Sequence, residues 1–565
     1  MTSSLTQPSD EVAAVAPAAP ADPLTGWPGR WVIGLSILAG GMLRGIVLFT
    51  SLGRPDSDEV IAGLMARHLG ESFPAYFWGQ HYGGTIELIP IAVSLKVFGT
   101  SVPGLRIPTI ILAVVNAVLV WRCARRVMPA GNAQVAGLLA WVWPAAALWF
   151  GTREQLFYVP TLTLGLAALL LALRLGDPAG WGPIRRRWPE WGALGLALGV
   201  GWWTSPNIVY FLVPVLLALT ARPGRERPIE VPPWRGLVVM AGASVVGALP
   251  WLVTNVGSRF PALHDSDGFP ETGSYLGRVW WFFTHGLPAE MGFRSIGTLA
   301  WIGGALGVAA YLAALIVLAW GVRVAFVGRS TTPTPAMNST GSSGATVGHR
   351  RRWVPPPDAF GFLVYPFLLA LIPFVMAQAN LRYLYFLAPF LCFLLARLTM
   401  GRRSAIGLLV VAVALSGLGL ARLHTVSETP GTPFKVGAVS DLSPAIAALD
   451  AAGVRSVYAD YWVAYRLVFE SDERILARPS AGTHRSPEYG AAVEASPEVA
   501  WVVSQGDQRQ ALVEALDRLG VGYRVVDAGE FAVVFTDRRV SPDELPNEAR
   551  APAGVEMAPP PGQSY

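Results

Sequence analysis

Three carboxylates that follow the first apolar segment are the side chains of this sequence most suited to chemistry. Asp56, Asp58 and Glu59 lie within four positions of one another, at the start of an amphipathic stretch. A carboxylate that is held beside a membrane and partly desolvated can act as a general base on a hydroxyl group. Helix capping is the alternative role, because acidic residues in a first turn complement the helix dipole and bind free amide groups.

A divalent cation is a further possible ligand of the same segment. Asp56-Ser57-Asp58 offers oxygen atoms that could bind such an ion, with water completing its coordination shell. We assign no metal ligand set beyond this possibility and expect no other cofactor.

A second group of polar residues stands in the segment 77–87, which reads Phe-Trp-Gly-Gln-His-Tyr-Gly-Gly-Thr-Ile-Glu. Glu87 adds a fourth carboxylate to the region. His81 and Tyr82 are secondary candidates, since a lone histidine is more often a structural hydrogen-bonding group than a catalyst. The apolar segment that overlaps and follows, residues 86–98, is too short to cross a bilayer, and we predict a juxtamembrane helix there.

The elements that position these residues are predicted to be membrane spans. Of 565 residues, 52% are hydrophobic and only 14% are charged, and the mean hydropathy is +0.43. Such a chain is too apolar for an ordinary soluble protein, and its apolar blocks of about 20 residues match the thickness of a bilayer. We predict eleven spans, at about residues 31–50, 103–121, 132–150, 157–174, 190–204, 206–220, 236–253, 296–320, 359–379, 383–399 and 404–421.

Arginine clusters orient these spans, because cytoplasmic loops keep an excess of basic residues. The clusters lie at residues 122–126, 185–187, 222–227, 350–352 and 402–403. If all are cytoplasmic, the eleven spans alternate without conflict and the C-terminal region lies outside. The charged residues of the other loops then face the extracytoplasmic side, among them Arg153, Glu154, His264, Asp265, Asp267 and Arg382. We therefore expect any chemistry to be extracytoplasmic.

Composition divides the chain into four regions. Residues 1–30 are predicted to be a disordered cytoplasmic tail, and residues 31–424 a transmembrane domain whose first outer loop is 51–102. Residues 425–540 are predicted to form a small soluble α/β domain, with strands at 456–458, 474–476, 500–503, 523–526 and 531–535 between helices. The Pro-rich residues 541–565 are predicted to be disordered.

Several function classes are excluded by composition. Cys123 and Cys392 both lie in or beside apolar blocks, so the chain has neither a disulfide framework nor a thiolate metal site. The net charge of +5 comes almost wholly from arginine and fits topology signals, whereas nucleic-acid binding would need a basic face on a soluble domain.

A family resemblance adds to this interpretation. The Asp58-Glu59 pair, the Gly-Gln-X-Tyr-X-Gly-X-X-Glu pattern of residues 79–87, a later Phe-Gly and a Leu-Arg resemble bacterial family 39 glycosyltransferases of the GT-C superfamily, which includes protein mannosyltransferases and aminoarabinose transferases. Segments 201–206, 249–255, 382–389 and 458–467 also look like family segments. The resemblance implies a GT-C-like α-helical polytopic membrane fold in which Asp58 and Glu59 form the acidic pair of the first outer loop.

The resemblance implies a reaction in a bacterial plasma membrane that moves a sugar from a polyprenyl-phosphate donor to an extracytoplasmic acceptor. Asp58 would remove the proton from the acceptor hydroxyl during direct displacement, giving inversion. Glu59 and Glu87 would position sugar hydroxyls or support the base, with Asp56, His81 and Tyr82 in substrate-binding roles. Arg153 and Arg382 could bind the carrier phosphate, or each could be a structural arginine paired with Glu154 or a helix carbonyl.

Two other functions remain open from the sequence alone. A transporter or lipid flippase would place charged residues at mid-membrane depth, and Arg44 in the first span favours that alternative. A noncatalytic assembly protein could use the outer domain for contacts.

Overall fold

The computed structural model describes residues 29–154, 156–176, 184–220, 231–257, 260, 274–296, 298–326, 381–427 and 441–551. Five helices in these ranges are long and apolar enough to cross a membrane. They are Gly29–Phe49, Val102–Ala124, Tyr158–Leu175, Ala305–Phe326 and Arg402–Ser427. The predicted class, a polytopic helical membrane protein with a small α/β domain, is confirmed.

The other predicted spans that the structure describes are broken, bent or short, except 190–204, which lies in the 21-residue helix Ile184–Thr204. Prolines account for much of this, because proline lacks a backbone donor and disfavours helix in the residue before it. Trp234–Gly247 and Leu249–Gly257 meet at 61° and count as a sixth span if they cross together. The remaining helices of these segments are Ala130–Val142, Ala145–Phe150, Ile184–Thr204, Pro206–Ile208, Val209–Thr220, Leu381–Leu384, Tyr385–Leu387 and Ala388–Arg397. The total of eleven spans stays a prediction, and the predicted span 359–379 lies outside the described residues.

The predicted outer connection between residues 254 and 294 contains helix where it is described. Tyr275–Trp281 is followed by the π-turn Phe282–Gly286 and by Leu287–Glu290. His264, Asp265 and Asp267 lie outside the described part of the chain.

Two short helices cover one end of the membrane domain. The loop helix, Ser57–Arg67, carries the predicted acidic pair, and the juxtamembrane helix, Leu88–Phe98, has 11 residues and is too short to span a bilayer. The juxtamembrane helix packs against Val102–Ala124 and against the loop helix, and the loop helix packs against the soluble domain. The first outer loop is therefore a structured layer between the membrane helices and that domain.

The soluble domain is a five-stranded mixed sheet with helices. Its strands are β1 Ser456–Ala459, β2 Leu476–Pro479, β3 Ala500–Ser504, β4 Tyr523–Ala528 and β5 Phe531–Thr536, in the order β2-β1-β3-β5-β4. β1 is parallel to both neighbours, and β5 is antiparallel to β3 and β4. The helices are Ser443–Ala452, Tyr461–Glu470, Pro487–Ala495 and Asp507–Leu519.

Two boundaries of this domain differ from the prediction. β2 begins at Leu476, where the predicted strand ends, because the preceding residues form a turn with Asp472 and Glu473 at positive φ. Residues 541–551, predicted to be part of a disordered tail, form the turn Pro542–Glu544 and the helix Asn547–Arg550. Leu545 and Ala549 are buried in an apolar cluster that also contains residues of the sheet, which explains why this segment is ordered.

The soluble domain docks on the loop helix through the helix Tyr461–Glu470, which we call the docking helix. Gly63 of the loop helix faces Phe469, and a methyl group at Gly63 would lie 2.5 Å from that ring. The Ser57 hydroxyl donates a hydrogen bond to the Tyr461 carbonyl at 2.7 Å. Val60 and Leu64 are completely buried in the same apolar cluster, so the two helices share one core.

Candidate functional site

Asp56 caps the loop helix and also forms an ion pair. Its Oδ1 accepts a hydrogen bond from the Glu59 amide at 2.9 Å, and its Oδ2 lies 2.9 Å from Nη2 of Arg153. The capping alternative therefore describes Asp56, whose two oxygens are both occupied by protein groups.

Glu59 is the centre of a buried ion network. One carboxylate oxygen accepts hydrogen bonds from Nη2 of Arg106 at 2.7 Å and from Nη2 of Arg153 at 3.1 Å. The other accepts from Nε of Arg106 and from the Glu154 amide, the latter at 2.9 Å. Burial alone would raise the pKa of Glu59, but the two guanidinium groups outweigh it and the pKa is lowered. Glu59 is thus an ionised, fully enclosed carboxylate that fastens the loop helix to the membrane domain.

This arrangement corrects the predicted direct role of Glu59. The side chain has no exposed surface and its oxygens already have charged partners. It cannot reach a sugar hydroxyl without breaking the network, so its contribution to a reaction is to position its neighbours.

Arg153 is likewise committed to protein groups. Its guanidinium lies over the Trp149 ring at 4.7 Å and pairs with Asp56 and Glu59, and only 1% of its side chain is exposed. The structural alternative for this arginine is supported, but its ion-pair partners are Asp56 and Glu59, and the predicted partner Glu154 was wrong. The predicted phosphate contact is not supported by this geometry.

Asp58 points away from this network toward the soluble domain. It is partly exposed, and Tyr461 of the docking helix donates a hydrogen bond from its phenol to Asp58 Oδ1. Arg485 of the soluble domain lies with its guanidinium carbon 5.9 Å from the Tyr461 ring centre and interacts electrostatically with Asp58. Tyr461 and Arg485 are therefore site residues that the sequence analysis did not name.

The polar residues 79–87 of the first loop meet the soluble domain at the same place. With its amide oxygen turned toward the guanidinium, Gln80 accepts a hydrogen bond from Nη2 of Arg485 at 2.9 Å and from the Tyr82 hydroxyl at 3.3 Å. Tyr82 also packs edge-on against Phe157. His81 is exposed on the loop surface and is not part of the buried network.

Glu87 belongs to a second buried pair, which adjoins the Glu59 network. The Thr109 hydroxyl lies 3.4 Å from Glu87 Oε1 and also donates to Glu154 Oε2. Burial and the nearby Glu154 raise the pKa of Glu87 well above its ordinary range, and burial raises the pKa of Glu154 to about 8. Near neutral pH this pair therefore retains at least one proton, which fits two carboxyl groups that share a site.

Segments from the middle of the chain brace the first loop. The Gly84 amide donates to the Thr204 carbonyl at 2.9 Å, and the Trp203 indole donates to the Ala75 carbonyl at 2.8 Å. A side chain at Gly84 would meet the Trp203 carbonyl oxygen at 2.5 Å, so this approach requires glycine. Two segments noted for their family resemblance, 79–87 and 201–206, are thus in contact.

The segment Asp56-Ser57-Asp58, which could have bound a divalent cation, does not form a cation site. Asp56 is paired with Arg153, Ser57 donates to a carbonyl, and Asp58 accepts from Tyr461, so these residues do not fit the possible divalent ion. Within the described ranges, no group of three or more metal-binding side chains is found. Arg382 lies in the helix Leu381–Leu384, and its side chain is outside the described part of the structure.

The family model for dolichyl-phosphate-mannose-protein mannosyltransferases matches residues 89–252. The predicted resemblance to membrane glycosyltransferases is confirmed over this range. The match also confirms the predicted enzyme class, a glycosyltransferase with a lipid-linked sugar donor. The matched range contains Arg106, Thr109, Arg153 and Glu154 but not Asp58, so the catalytic assignments of the first loop remain proposals.

Solved structures that resemble this chain include proteins from Cupriavidus metallidurans and Archaeoglobus fulgidus. ArnT from Cupriavidus metallidurans in the apo state shares 16% identity, with a TM-score of 0.46 over 90% of this chain and 98% of that chain. The same protein bound to undecaprenyl phosphate shares 14%, with a TM-score of 0.43 over 90% and 97%. Oligosaccharyltransferase AglB from Archaeoglobus fulgidus, in complex with an inhibitory peptide and a dolichol-phosphate, shares 12%, with a TM-score of 0.41 over 92% and 77%. No curated protein matches the chain by sequence.

The residue that favoured a transporter has a structural role in this glycosyltransferase. Arg44 is buried, stacks on Trp141 at 3.6 Å and donates to the Trp141 carbonyl at 2.7 Å. It therefore ties the first span to the helix Ala130–Val142, and this contact, together with the family match, contradicts the transporter alternative.

Proposed function

We propose that this chain transfers a sugar from a polyprenyl-phosphate carrier to a hydroxyl group of an extracytoplasmic acceptor, with inversion at the sugar carbon and with Asp58 as the general base. The observation that carries this proposal is the difference between the three loop carboxylates. Asp56 and Glu59 are ion-paired to arginine, whereas Asp58 is partly exposed and accepts a hydrogen bond from a phenol. Asp58 is therefore the carboxylate that an acceptor hydroxyl can approach.

In this reaction Asp58 acts as the base, and neighbouring groups orient it. Asp58 takes the proton from the acceptor hydroxyl as the acceptor oxygen bonds to the sugar carbon and the bond from that carbon to the carrier phosphate breaks. Tyr461 fixes the direction of the Asp58 carboxylate through its hydrogen bond. A hydrogen bond to a charged group contributes about 1.5–3 kcal/mol.

Buried groups supply a rigid support behind the base. Glu59, Arg106 and Arg153 lock the loop helix one residue away from Asp58. Glu87 acts in support of this network, because it lies behind Thr109 and Glu154. The released phosphate requires a cation, and Arg382 at the start of its helix is the proposed ligand, since arginine binds phosphate oxygens in a bidentate manner.

We further propose that the protein lies in a bacterial plasma membrane with this site and the soluble domain on the outer side. The loop helix and the docking helix share one apolar cluster, so the two must lie on the same face of the membrane. Arg122, Arg125 and Arg126 lie at or just after the C-terminal end of Val102–Ala124, far from Arg106. This excess of basic residues favours the cytoplasmic side for that end.

A transfer assay with matched variants tests the assignment. Purified protein in liposomes would receive radiolabelled polyprenyl-phosphate mannose together with envelope extract as the source of acceptors. Asp58→Asn should fold as the wild type does and lose at least about a hundredfold in rate, as expected for loss of a general base. Glu71→Gln is the control, because Glu71 lies in the same loop with 75% of its side chain exposed. Undiminished transfer by folded Asp58→Asn would reject the base assignment. Mass spectrometry of the carrier lipid that copurifies with the protein would identify the sugar.

A further inference from the structure

An arginine-lined pocket lies at the far end of the helix that bears Arg106. Its lining residues are Trp121, Arg122, Arg125, Arg126, Leu170 and Arg174, and its volume is about 510 Å³. The residues come from the ends of two neighbouring spans, Val102–Ala124 and Tyr158–Leu175, and from the turn after the first of these. The proposed reaction uses none of them.

The position of the pocket is fixed by the helix itself. Arg106 binds Glu59 in the network beside Asp58, and Arg125 follows 19 residues later. At 1.5 Å per residue these two positions are roughly 28 Å apart along the helix axis. That distance matches the hydrocarbon thickness of a bilayer, so the pocket opens on the membrane face opposite the proposed reaction.

Among the residues that the structure describes, positive charge predominates around the pocket. Arg174 shares Glu190 with Arg187, at 3.2 Å from each guanidinium. In the ranges that the structure describes, no ion pair is found for Arg122, Arg125 or Arg126. Topology requires only that basic residues stand on one side of the membrane. It does not require that four guanidinium groups line a single pocket, where their mutual repulsion raises the free energy unless an anion binds.

The pocket joins a lipid-facing surface. Ile111, Val114 and Val118 are 57%, 45% and 47% exposed on the same helix, at the spacing of one helical face. Arg122 continues that face, with its guanidinium carbon 5.6 Å from the ring centre of Trp121. An acyl chain can lie along the apolar stripe while its headgroup reaches the arginines, an arrangement that a free soluble anion would not use.

We propose that this pocket binds the headgroup of an anionic phospholipid from the leaflet opposite the reaction site. Arginine suits a phosphodiester because its planar fork donates two hydrogen bonds to phosphate oxygens. Basic pockets between membrane helices on the cytoplasmic side bind headgroups of this class. The proposal concerns lipid binding and does not depend on the sugar-transfer activity.

Native mass spectrometry of the full-length protein tests this site. Protein purified in detergent would be titrated with phosphatidylglycerol and, separately, with phosphatidylcholine. The variant Arg122→Gln/Arg125→Gln/Arg126→Gln should bind phosphatidylglycerol about a hundredfold more weakly than the wild type, since each basic residue contributes about a fivefold factor in affinity. Arg235→Gln should bind as the wild type does. Arg235 also stands at a helix end beside its own tryptophan, 5.4 Å from the Trp234 ring, but it is not among the residues that line the pocket.

The outcomes separate the lipid from other ligands. Loss of phosphatidylglycerol binding in the triple variant alone, with weak phosphatidylcholine binding by the wild type, supports the proposal. Equal binding by the triple variant, equal binding of the two lipids, or complete displacement of phosphatidylglycerol by millimolar inorganic phosphate would overturn it. If the triple variant does not fold, Arg125→Gln alone should weaken binding about fivefold, and an unchanged affinity would count against the site.

Discussion

Tyr461 and Asp58 are hydrogen-bonded to each other although 403 residues separate them in the chain. The contact joins the first residue of the docking helix to the first turn of the loop helix. Because both helices are buried in one apolar cluster, the two side chains are held in a fixed relation. The soluble domain therefore contributes directly to the proposed site.

Tyr461→Phe should slow sugar transfer about tenfold without unfolding the protein. The substitution keeps the ring in its place and removes only the donor to Asp58, and a hydrogen bond to a charged group contributes about 1.5–3 kcal/mol. We expect the loss mainly in kcat, because the base would be less well oriented after the substrate has bound. Steady-state kinetics and a melting curve check this expectation. Tyr523→Phe, in strand β4, is the control, and an unchanged kcat for Tyr461→Phe would exclude the positioning role.

Glu59→Gln, in contrast to Tyr461→Phe, should greatly lower the stability of the folded protein. It leaves Arg106 buried beside a neutral group and leaves Arg153 with Asp56 alone, and breaking a buried ion pair costs about 3–5 kcal/mol. Thermal unfolding in detergent would measure this loss next to Asp58→Asn, which should melt close to the wild type. A Glu59→Gln protein as stable as the wild type would show that the network is not the anchor of the loop helix.

Gly63→Ala should destabilise the contact between the two domains. In an ordinary helix this substitution stabilises by about 1 kcal/mol, but here the new methyl group would lie 2.5 Å from the Phe469 ring. Limited proteolysis should release the soluble domain more readily, and the added substitution Phe469→Leu should restore resistance. Gly41→Ala provides the comparison, since a methyl group at Gly41 meets no atom within 4 Å.

The sequence predicts this architecture better than it predicts the site. Strands such as Phe531–Thr536 follow from local patterns of apolar and β-branched residues. The distinction between Asp58 and Glu59 does not, because the arginines that enclose Glu59 are 47 and 94 positions away. The segment 458–467 was noted for its family resemblance, but nothing in its spacing indicates that Tyr461 meets Asp58. Arg485 carries no local signal, since only the docking of the domain brings it to the site.

Glu154→Gln should flatten the dependence of stability on pH. The unfolded chain releases this proton near the ordinary value of 4.5, whereas the folded protein holds it until about pH 8. Between these values the unfolded state binds fewer protons, so the free energy of unfolding falls as the pH rises through this window and is steady above it. Melting temperatures of the wild type should therefore decrease from about pH 5 to about pH 8. The decrease should be smaller for Glu154→Gln, while the exposed-site variant Glu548→Gln should follow the wild type. Parallel curves for Glu154→Gln and the wild type would mean that Glu154 is already ionised in the folded protein at neutral pH. The inference that Glu154 and Glu87 share a proton would then be wrong.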